Sequence, residues 1–177
     1  LEASPRGIFW PPAPHDDDAC WAGIRRMGPY FMRHIGTRGA AISASSPHEG
    51  GTYPYPMLTG LDSSDPEVVG ALVRALHAHY DDYKDADPGS IGWALDRQIF
   101  QWVVPYHQGA VAVFRELGVW SEADQAHNDA LLERQAVLSR AWAQMADSDL
   151  DGDAFRAAWM ATREEALTAA GFDPIWR

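Results

Sequence analysis

The sequence predicts an α-rich α/β fold with a few short strands and about six helices. Apolar residues recur at helical spacing through most of the chain, and helix-start residues stand before these stretches. Short apolar segments between glycines and prolines occur nearer the N-terminus, where strands are expected. Hydrophobic residues make up 46% of the 177 residues, which is enough for a core without disulfides or metal. The chain is therefore expected to fold as a single segment of ordinary domain size.

The N-terminal part is predicted to start as extended chain and to continue into two helices. Residues 1–15 combine four prolines with two aromatic residues, which favours extended chain with an apolar anchor. The carboxylates of residues 16–18 suit the cap and first turn of a helix that runs through Met27. Pro29 then predicts the start of a second, short helix.

Two short strands are predicted in the next part of the chain. Glycines punctuate the sequence before an apolar stretch, so a buried strand is expected at 40–42. Residues 43–52 are polar and predict a loop. The second strand is expected at 56–61.

The remaining helices are predicted from their boundary residues. Aspartate, serine or proline stands near the starts, and glycine or proline stands near the ends, as helix termini prefer. The most regular pattern begins at Pro66, with Asp65 as its cap, and repeats apolar residues on one face as far as Tyr83. The predicted ranges are 65–83, 91–102, 109–117, 121–145 and 153–170.

Charge and cysteine content oppose several classes of partner and site. The formal net charge of −11 at pH 7 disfavours binding to nucleic acid and to anionic lipid surfaces. The single cysteine, Cys20, can form neither an internal disulfide nor a zinc–thiolate site. No run of about 18 apolar residues occurs, so no membrane-spanning helix is expected. The sequence also contains no phosphate-loop or dinucleotide signature.

Three motifs follow one another in the middle of the chain. The first is Gly-Thr-Tyr-Pro at 51–54, and the second is Asp-Pro-Glu-Val-Val at 65–69, where a long helix starts. The third is Val-Pro-Tyr-His-Gln-Gly-Ala at 104–110, which leads to Phe-Arg-Glu-Leu-Gly at 114–118. Their order and spacing resemble those of the TAXI family, the extracytoplasmic solute receptors of one class of TRAP transporters. Gln108 stands where that family usually has proline.

The resemblance implies a type II periplasmic-binding-protein-like fold, in which two α/β lobes close around a cleft. This chain matches the C-terminal half of such a receptor. Residues 1–60 would then be part of one lobe with its crossover, residues 61–120 an α/β return region, and residues 121–177 a C-terminal helical extension. The resemblance also implies a missing N-terminal half, and self-association is the alternative way to cover the exposed surface.

A receptor of this family binds a solute without transforming it. The resemblance implies a periplasmic protein that captures a small organic acid or amino acid, such as glutamate or 2-oxoglutarate. It also implies that the closed form docks on the membrane permease subunits of a TRAP transporter. Neither enzymatic activity nor a cofactor is expected.

Four residues are the candidate ligand-binding residues. Tyr53 and Tyr55 offer aromatic area and a hydroxyl between prolines that limit their freedom, although such rings also serve as core residues. Arg97 could bind a carboxylate bidentately or pair with a surface acid such as Asp96. His107 precedes a helix start, where it could cap amides or contact the ligand. The structural alternatives stay open for all four residues.

The acidic segment before the last helix offers an alternative metal site. Asp147, Asp149 and Asp151, followed by glycine, reproduce the first half of an EF-hand calcium loop. The twelfth position is Ala158, which lacks the bidentate carboxylate that completes calcium coordination. The favoured interpretation is that these aspartates cap the last helix.

Two other classes of function compete with the solute receptor. A helical interaction or effector-binding domain would use the aromatic residues of the helices as a core or as a partner groove. A hydrolase or metal-dependent enzyme would use His107, Asp96 and Tyr53, but no nucleophile and base stand at a recognisable spacing.

Overall fold

The structure is a computed structural model that describes residues 5–175 and shows a helix-rich α/β chain. Six α-helices and one two-stranded antiparallel sheet occur in this part of the chain. These elements divide between two compact units, one that extends to Tyr53 and one that comprises Pro54–Ile175. The predicted α-rich character with few short strands is confirmed.

The first unit contains one helix and the two-stranded sheet. Helix α1 (Asp18–Met27) begins after Asp17, whose carboxylate accepts a hydrogen bond from the Cys20 amide at 2.8 Å. The predicted acidic cap is therefore confirmed. Strands β1 (Met32–Gly36) and β2 (His48–Thr52) pair in antiparallel fashion along their whole length.

Among residues 5–53, Trp21 is the only buried hydrophobic side chain. Its indole N–H donates to the Pro14 carbonyl oxygen at 3.0 Å, and the His15 ring meets it edge-on. The Arg33 guanidinium lies 5.6 Å from the centre of the Trp21 ring. Burial of one large side chain contributes only about 1.5–3 kcal/mol, so the core of this unit is small.

The prediction of a short helix after Pro29 is wrong. The Phe31 amide donates to the Gly28 carbonyl oxygen at 3.1 Å, and this turn leads directly into β1. The Phe31 ring packs so closely on Gly28 that a Cβ at that glycine would lie 2.8 Å from it. Pairing of β1 with β2 therefore prevails over the local helix signal of the proline.

The strand predicted at 40–42 is wrong, and the loop predicted at 43–52 is wrong in its second half. Residues 39–42 form a tight turn in which Ala41 has a φ of 61°. The second half of the predicted loop belongs to β2. The polar and glycine residues of β2 show no apolar alternation, because the pairing partner and not the side chains makes this segment a strand.

Helices α2 (Pro66–Ala78) and α4 (Gln108–Glu116) of the second unit cross at two glycines. A Cβ on Gly109 would overlap the carbonyl oxygen of Pro66 and would lie 3.0 Å from its Cα. A Cβ on Gly70 would lie 3.3 Å from the Gly109 carbonyl oxygen. The lack of side chains at this crossing lets the two backbones approach closely.

The ends of these helices follow the predicted signals. Asp65 caps α2 by accepting a hydrogen bond from the Glu67 amide at 2.8 Å. After a break of one residue the chain continues as the one-turn helix α3 (Tyr80–Tyr83), so helix is confirmed over the predicted range 65–83 apart from this break. Helix α4 ends before Gly118, whose φ of 73° lies in the left-handed region that a helix-ending glycine adopts.

Four aromatic rings pack together beside α4 and form the aromatic cluster: Phe100, Tyr106, Phe114 and Trp120. Their ring centres are between 5.0 and 6.4 Å apart. The Tyr106 hydroxyl donates to the Ile99 carbonyl oxygen at 3.3 Å. Burial, and then the nearby Asp124 carboxylate, raises the pKa of Tyr106 to about 12. The cluster therefore holds its one ionisable ring in the neutral form.

No strand forms at 56–61, contrary to the sequence prediction. The Pro56 carbonyl oxygen accepts a hydrogen bond from the Trp93 indole at 3.1 Å. Gly92 lies against the Tyr55 carbonyl oxygen, where no Cβ would fit. This backbone is held by a side chain and a close glycine, and not by a neighbouring strand.

The helix predicted at 91–102 is also wrong. Two short 3-10 turns, Ser90–Trp93 and Leu95–Arg97, occur in its place, and Ala94 between them is extended with a ψ of 143°. The Gln98 side-chain amide donates to the Ala94 carbonyl oxygen at 3.0 Å. The Ala94 carbonyl oxygen also accepts from the Arg97 amide at 3.1 Å, and the Gln98 backbone amide bonds to Leu95 instead, so the backbone follows a 3-10 pattern here and not the α-helical one.

The last two helices are confirmed and pack against each other. Helix α5 (Glu122–Met145) begins with a capping box, in which Ser121 and Asp124 exchange hydrogen bonds with each other's backbone amides. Helix α6 (Gly152–Ala169) ends before Gly171, which has a φ of 80°.

The contact between α5 and α6 contains aromatic rings and a buried arginine. Trp142 meets the rings of Phe155 and Trp159 edge-on, at 5.7 and 5.0 Å. Arg163 is buried and donates a hydrogen bond to the Pro174 carbonyl oxygen. This bond fixes the segment that follows α6.

We expect Asp124→Asn to destabilise the chain at neutral pH and to do so less at acid pH. The Ser121 hydroxyl, and after it the Gln101 amide, donate to the Asp124 carboxylate and hold its pKa below the ordinary value. A lowered pKa contributes stability above the unfolded-state pKa of about 3.9, and this stability is lost as pH falls through the folded-state pKa. The loss on substitution should be about 1 kcal/mol at neutral pH and should shrink below about pH 4.

Urea unfolding of both proteins at neutral and acid pH measures this difference. Glu122→Gln is the matched control, since Glu122 lies in the same first turn of α5 and its side chain makes no hydrogen bond to a described residue. A loss for Asp124→Asn that does not change with pH would contradict the prediction.

Candidate functional site

The two candidate tyrosines belong to different units. Tyr53 ends the first unit, where its ring meets Tyr30 and Phe31 edge-on at 6.5 and 6.4 Å. Tyr55 belongs to the second unit, and its ring covers Gly89. The exposed fractions are 46% for Tyr53 and 68% for Tyr55, so neither ring is buried in a core. Both therefore present aromatic surface to solvent.

Arg97 is exposed at the end of the second 3-10 turn. Its guanidinium forms no ion pair with Asp96 or with any other described carboxylate. A guanidinium in this state offers its full fork of N–H donors to a carboxylate from outside.

His107 is the N-cap of α4. Its Nδ1 accepts a hydrogen bond from the Gly109 amide at 3.1 Å, so the capping role considered for this residue is present. A neutral ring then carries its proton on Nε2. Nε2 is buried and has no hydrogen-bond partner among the described residues.

A cleft of about 450 Å³ lies on the second unit, between the end of α2, the start of α3 and the segment around Trp93. We call it the Trp93 cleft. Its aromatic and titratable lining residues are His77, Tyr80, Asp81, Trp93 and Asp96.

A second cleft, of about 600 Å³, lies where α2 and α4 cross. Arg74 lines it and donates two hydrogen bonds to the Glu116 carboxylate, at 3.0 and 2.7 Å. These hydrogen bonds lower the pKa of Glu116 and raise the pKa of Arg74. The Arg74 guanidinium is thus already engaged by a carboxylate of the same chain.

The four predicted ligand residues do not line these clefts. Tyr53, Tyr55, Arg97 and His107 are absent from the walls of both. Tyr55 lies against Gly89 and His107 caps α4, whereas Arg97 is exposed and forms no ion pair with a described residue. The structure therefore does not bring them together at either cleft of that unit.

The acidic segment before α6 does not form a metal cluster. Within residues 5–175, no group of three or more His, Cys, Asp or Glu side chains could hold a metal ion. Asp151 occupies the N-cap of α6, as the capping interpretation predicts, but its side chain makes no capping hydrogen bond. Asp147 and Asp149 are exposed ahead of it.

The Trp93 cleft is a feature that the sequence analysis misses. The sequence places Trp93 and Asp96 in one continuous helix, whereas two 3-10 turns separated by an extended residue bring both to the cleft. Gly89 and Gly92 are the signal that favours this outcome, because two glycines so close together weaken a helix.

No protein-family model, no characterised protein and no solved structure matches this chain. None of the helices within residues 5–175 combines the length and the apolar character that spanning a bilayer requires.

Proposed function

We propose that this chain is part of an extracytoplasmic solute-binding receptor of the TAXI type. It would capture a small organic acid or amino acid, such as glutamate or 2-oxoglutarate, for a TRAP transporter. The observation that carries the proposal is the order of the three motifs at 51–54, 65–69 and 104–110. Their positions support it. The first motif contains the last two residues of β2, and the other two motifs contain the first residues of α2 and of α4. Binding residues are often placed on loops at the ends of such elements.

The outer face of α2, formed by Val68, Ala71, Leu72 and Ala75, supports a larger fold. These four residues are exposed and share one side of the helix, and no charged residue interrupts them. Val68 is 65% exposed and Leu72 is 50% exposed. A continuous apolar stripe of this kind is expected to be covered. In the proposed receptor the missing N-terminal half, or self-association, covers it.

The small core of the first unit supports the same proposal. A two-stranded sheet with one helix and one buried tryptophan is marginal by itself. Further contacts would stabilise it if it were part of an α/β lobe of a type II periplasmic-binding-protein-like fold.

In the proposed receptor the solute is bound and released without chemical change. Within the second unit, Arg97 would bind its carboxylate bidentately, and the exposed ring and hydroxyl of Tyr55 would offer contacts to the rest of the molecule. His107, the remaining candidate, caps α4 through Nδ1 and has a buried Nε2, so it would act by holding the start of α4 and not by direct contact with the solute. The same proposal places the protein in the periplasm and its docking surface against the permease subunits.

A thermal-shift titration of the full gene product with glutamate, glutamine and 2-oxoglutarate tests the proposal. A ligand that binds only the folded state at about 100 times its Kd stabilises it by about 2.7 kcal/mol, so at least one acid should raise the Tm by several degrees. Arg97→Gln should weaken the binding of that acid by about tenfold or more.

Arg25→Gln is the matched control, because Arg25 is also exposed and lies in the last turn of α1. Equal affinities of the two variants would remove Arg97 from the site. No rise in Tm with any of the three acids would contradict the receptor itself.

A second candidate is a helical interaction or effector-binding domain without catalytic activity. The outer face of α2 favours it equally, because a partner helix could pack there. Sedimentation of this chain alone separates the two functions. A stably folded monomer that does not respond to acids would favour the interaction domain.

A further inference from the structure

The Trp93 cleft has a lining that does not suit an acid. Asp81, Asp96, Tyr80 and Trp93 are among its lining residues, and its described lining includes neither lysine nor arginine. His77 also belongs to the lining. An anion placed there would meet like charges, in a chain whose formal net charge is −11.

We propose that the Trp93 cleft binds an organic cation of the alkylammonium type. The ammonium group lies near Asp81 and Asp96, and the alkyl groups on its nitrogen, which share its positive charge, lie against Tyr80 and Trp93. Aromatic faces attract cations through the ring quadrupole, and tryptophan does so most strongly. This site is additional to the proposed acid site and does not depend on it.

The aromatic walls of the cleft are held in place by the protein. The Trp93 indole N–H donates to the Pro56 carbonyl oxygen at 3.1 Å. The Tyr83 ring meets the rings of Trp93 and Tyr80 edge-on, at 5.8 and 5.7 Å. Rings that are already fixed lose little freedom when a ligand binds. Because the indole N–H is engaged, Trp93 offers its ring and not a donor, which suits a cation better than an acid.

The two carboxylates differ in how far they are engaged by the chain. Asp96 is exposed and has no ion pair with a described residue. Asp81 accepts a hydrogen bond from Lys84, which is not part of the cleft lining. Asp96 therefore supplies the unshared negative charge, and Lys84 competes with a ligand for Asp81.

Choline and 3,3-dimethylbutan-1-ol test this proposal, since they have the same shape and differ in charge. NMR of the full chain follows the indole signal of Trp93, which is identified by its loss in Trp93→Phe. We expect a saturable shift with choline, and choline should bind about fivefold more tightly than the neutral alcohol. Equal affinities for the two probes, or no saturable shift, would overturn the proposal.

Two variants test the carboxylates, and a third is the control. Asp96→Asn should weaken choline binding about fivefold, and Lys84→Met should strengthen it about twofold. Asp149→Asn removes one charge at an exposed position outside the cleft lining and should leave choline binding unchanged. An equal loss in Asp96→Asn and Asp149→Asn would reduce the effect to net charge and would overturn the proposal.

Discussion

Phe114→Ala is expected to lower the free energy of unfolding by about 3–5 kcal/mol. Phe114 is only 6% exposed, and its ring centre lies 5.0 Å from that of Phe100 and 5.6 Å from that of Tyr106. Removal of the ring leaves a cavity among stiff aromatic neighbours, which cannot collapse to fill it. Urea unfolding of the full chain, followed by circular dichroism, measures the loss.

Phe9→Ala is the matched control for this substitution. Phe9 is 83% exposed, so the same change of side chain should alter the free energy of unfolding by no more than about 0.5 kcal/mol. Comparable losses in the two variants would show that Phe114 does not lie in a packed cluster.

Gly109→Ala is expected to cost about 3 kcal/mol, which is the upper part of the range for overpacking. The added methyl group would overlap the Pro66 carbonyl oxygen, and a backbone atom cannot rotate away as a side chain can. Either α4 must move away from α2 or the first turn of α2 must open. The Tm of the full chain should fall by several degrees, because each kcal/mol corresponds to about 2–4 °C in a chain of this size.

Gly23→Ala is the control, because Gly23 also lies inside a helix, α1, and a Cβ there would meet no atom within 4 Å. Alanine is the better helix former, so this variant should gain up to about 1 kcal/mol. A Gly109→Ala variant that melts at or above the temperature of the unchanged chain would contradict the close crossing of α2 and α4.

The helices could be predicted because their end signals are local in sequence. Asp17 and Asp65 accept hydrogen bonds from amides two or three residues ahead, and Ser121 with Asp124 forms the expected capping box. Gly118 and Gly171 end helices in left-handed conformations that glycine adopts without strain. Each of these interactions needs only a few neighbouring residues, so the sequence contains the whole of it.

The strands and the segment at 91–102 could not be predicted because distant partners determine them. Strand β2 is polar and glycine-rich, and it is a strand because β1 pairs with it. The chain leaves the helical path at Ala94, directly after Trp93, whose indole donates to the carbonyl oxygen of Pro56, 37 residues earlier. Periodicity within one segment carries no information about such partners.

The candidate site divides in the same way. The place of His107 at the start of α4 could be predicted, since a residue before a helix commonly binds its first amides. The burial of its Nε2 could not, because that depends on packing from other parts of the fold. The Trp93 cleft forms only where α2, α3 and the 3-10 turns come together, so no single segment of the sequence predicts it.

The hydrogen bonds of the segment before α4 bear on how this protein can diverge. Trp93 and Tyr106 donate from their side chains to the main-chain oxygens of Pro56 and Ile99. A main-chain oxygen exists whatever residue carries it, so these bonds tolerate exchange of the accepting residue. The donating residue has no such freedom, because few side chains reach as far with an N–H or O–H group. We therefore expect the residues at the acceptor positions to vary between homologues and the residues at the donor positions to be conserved.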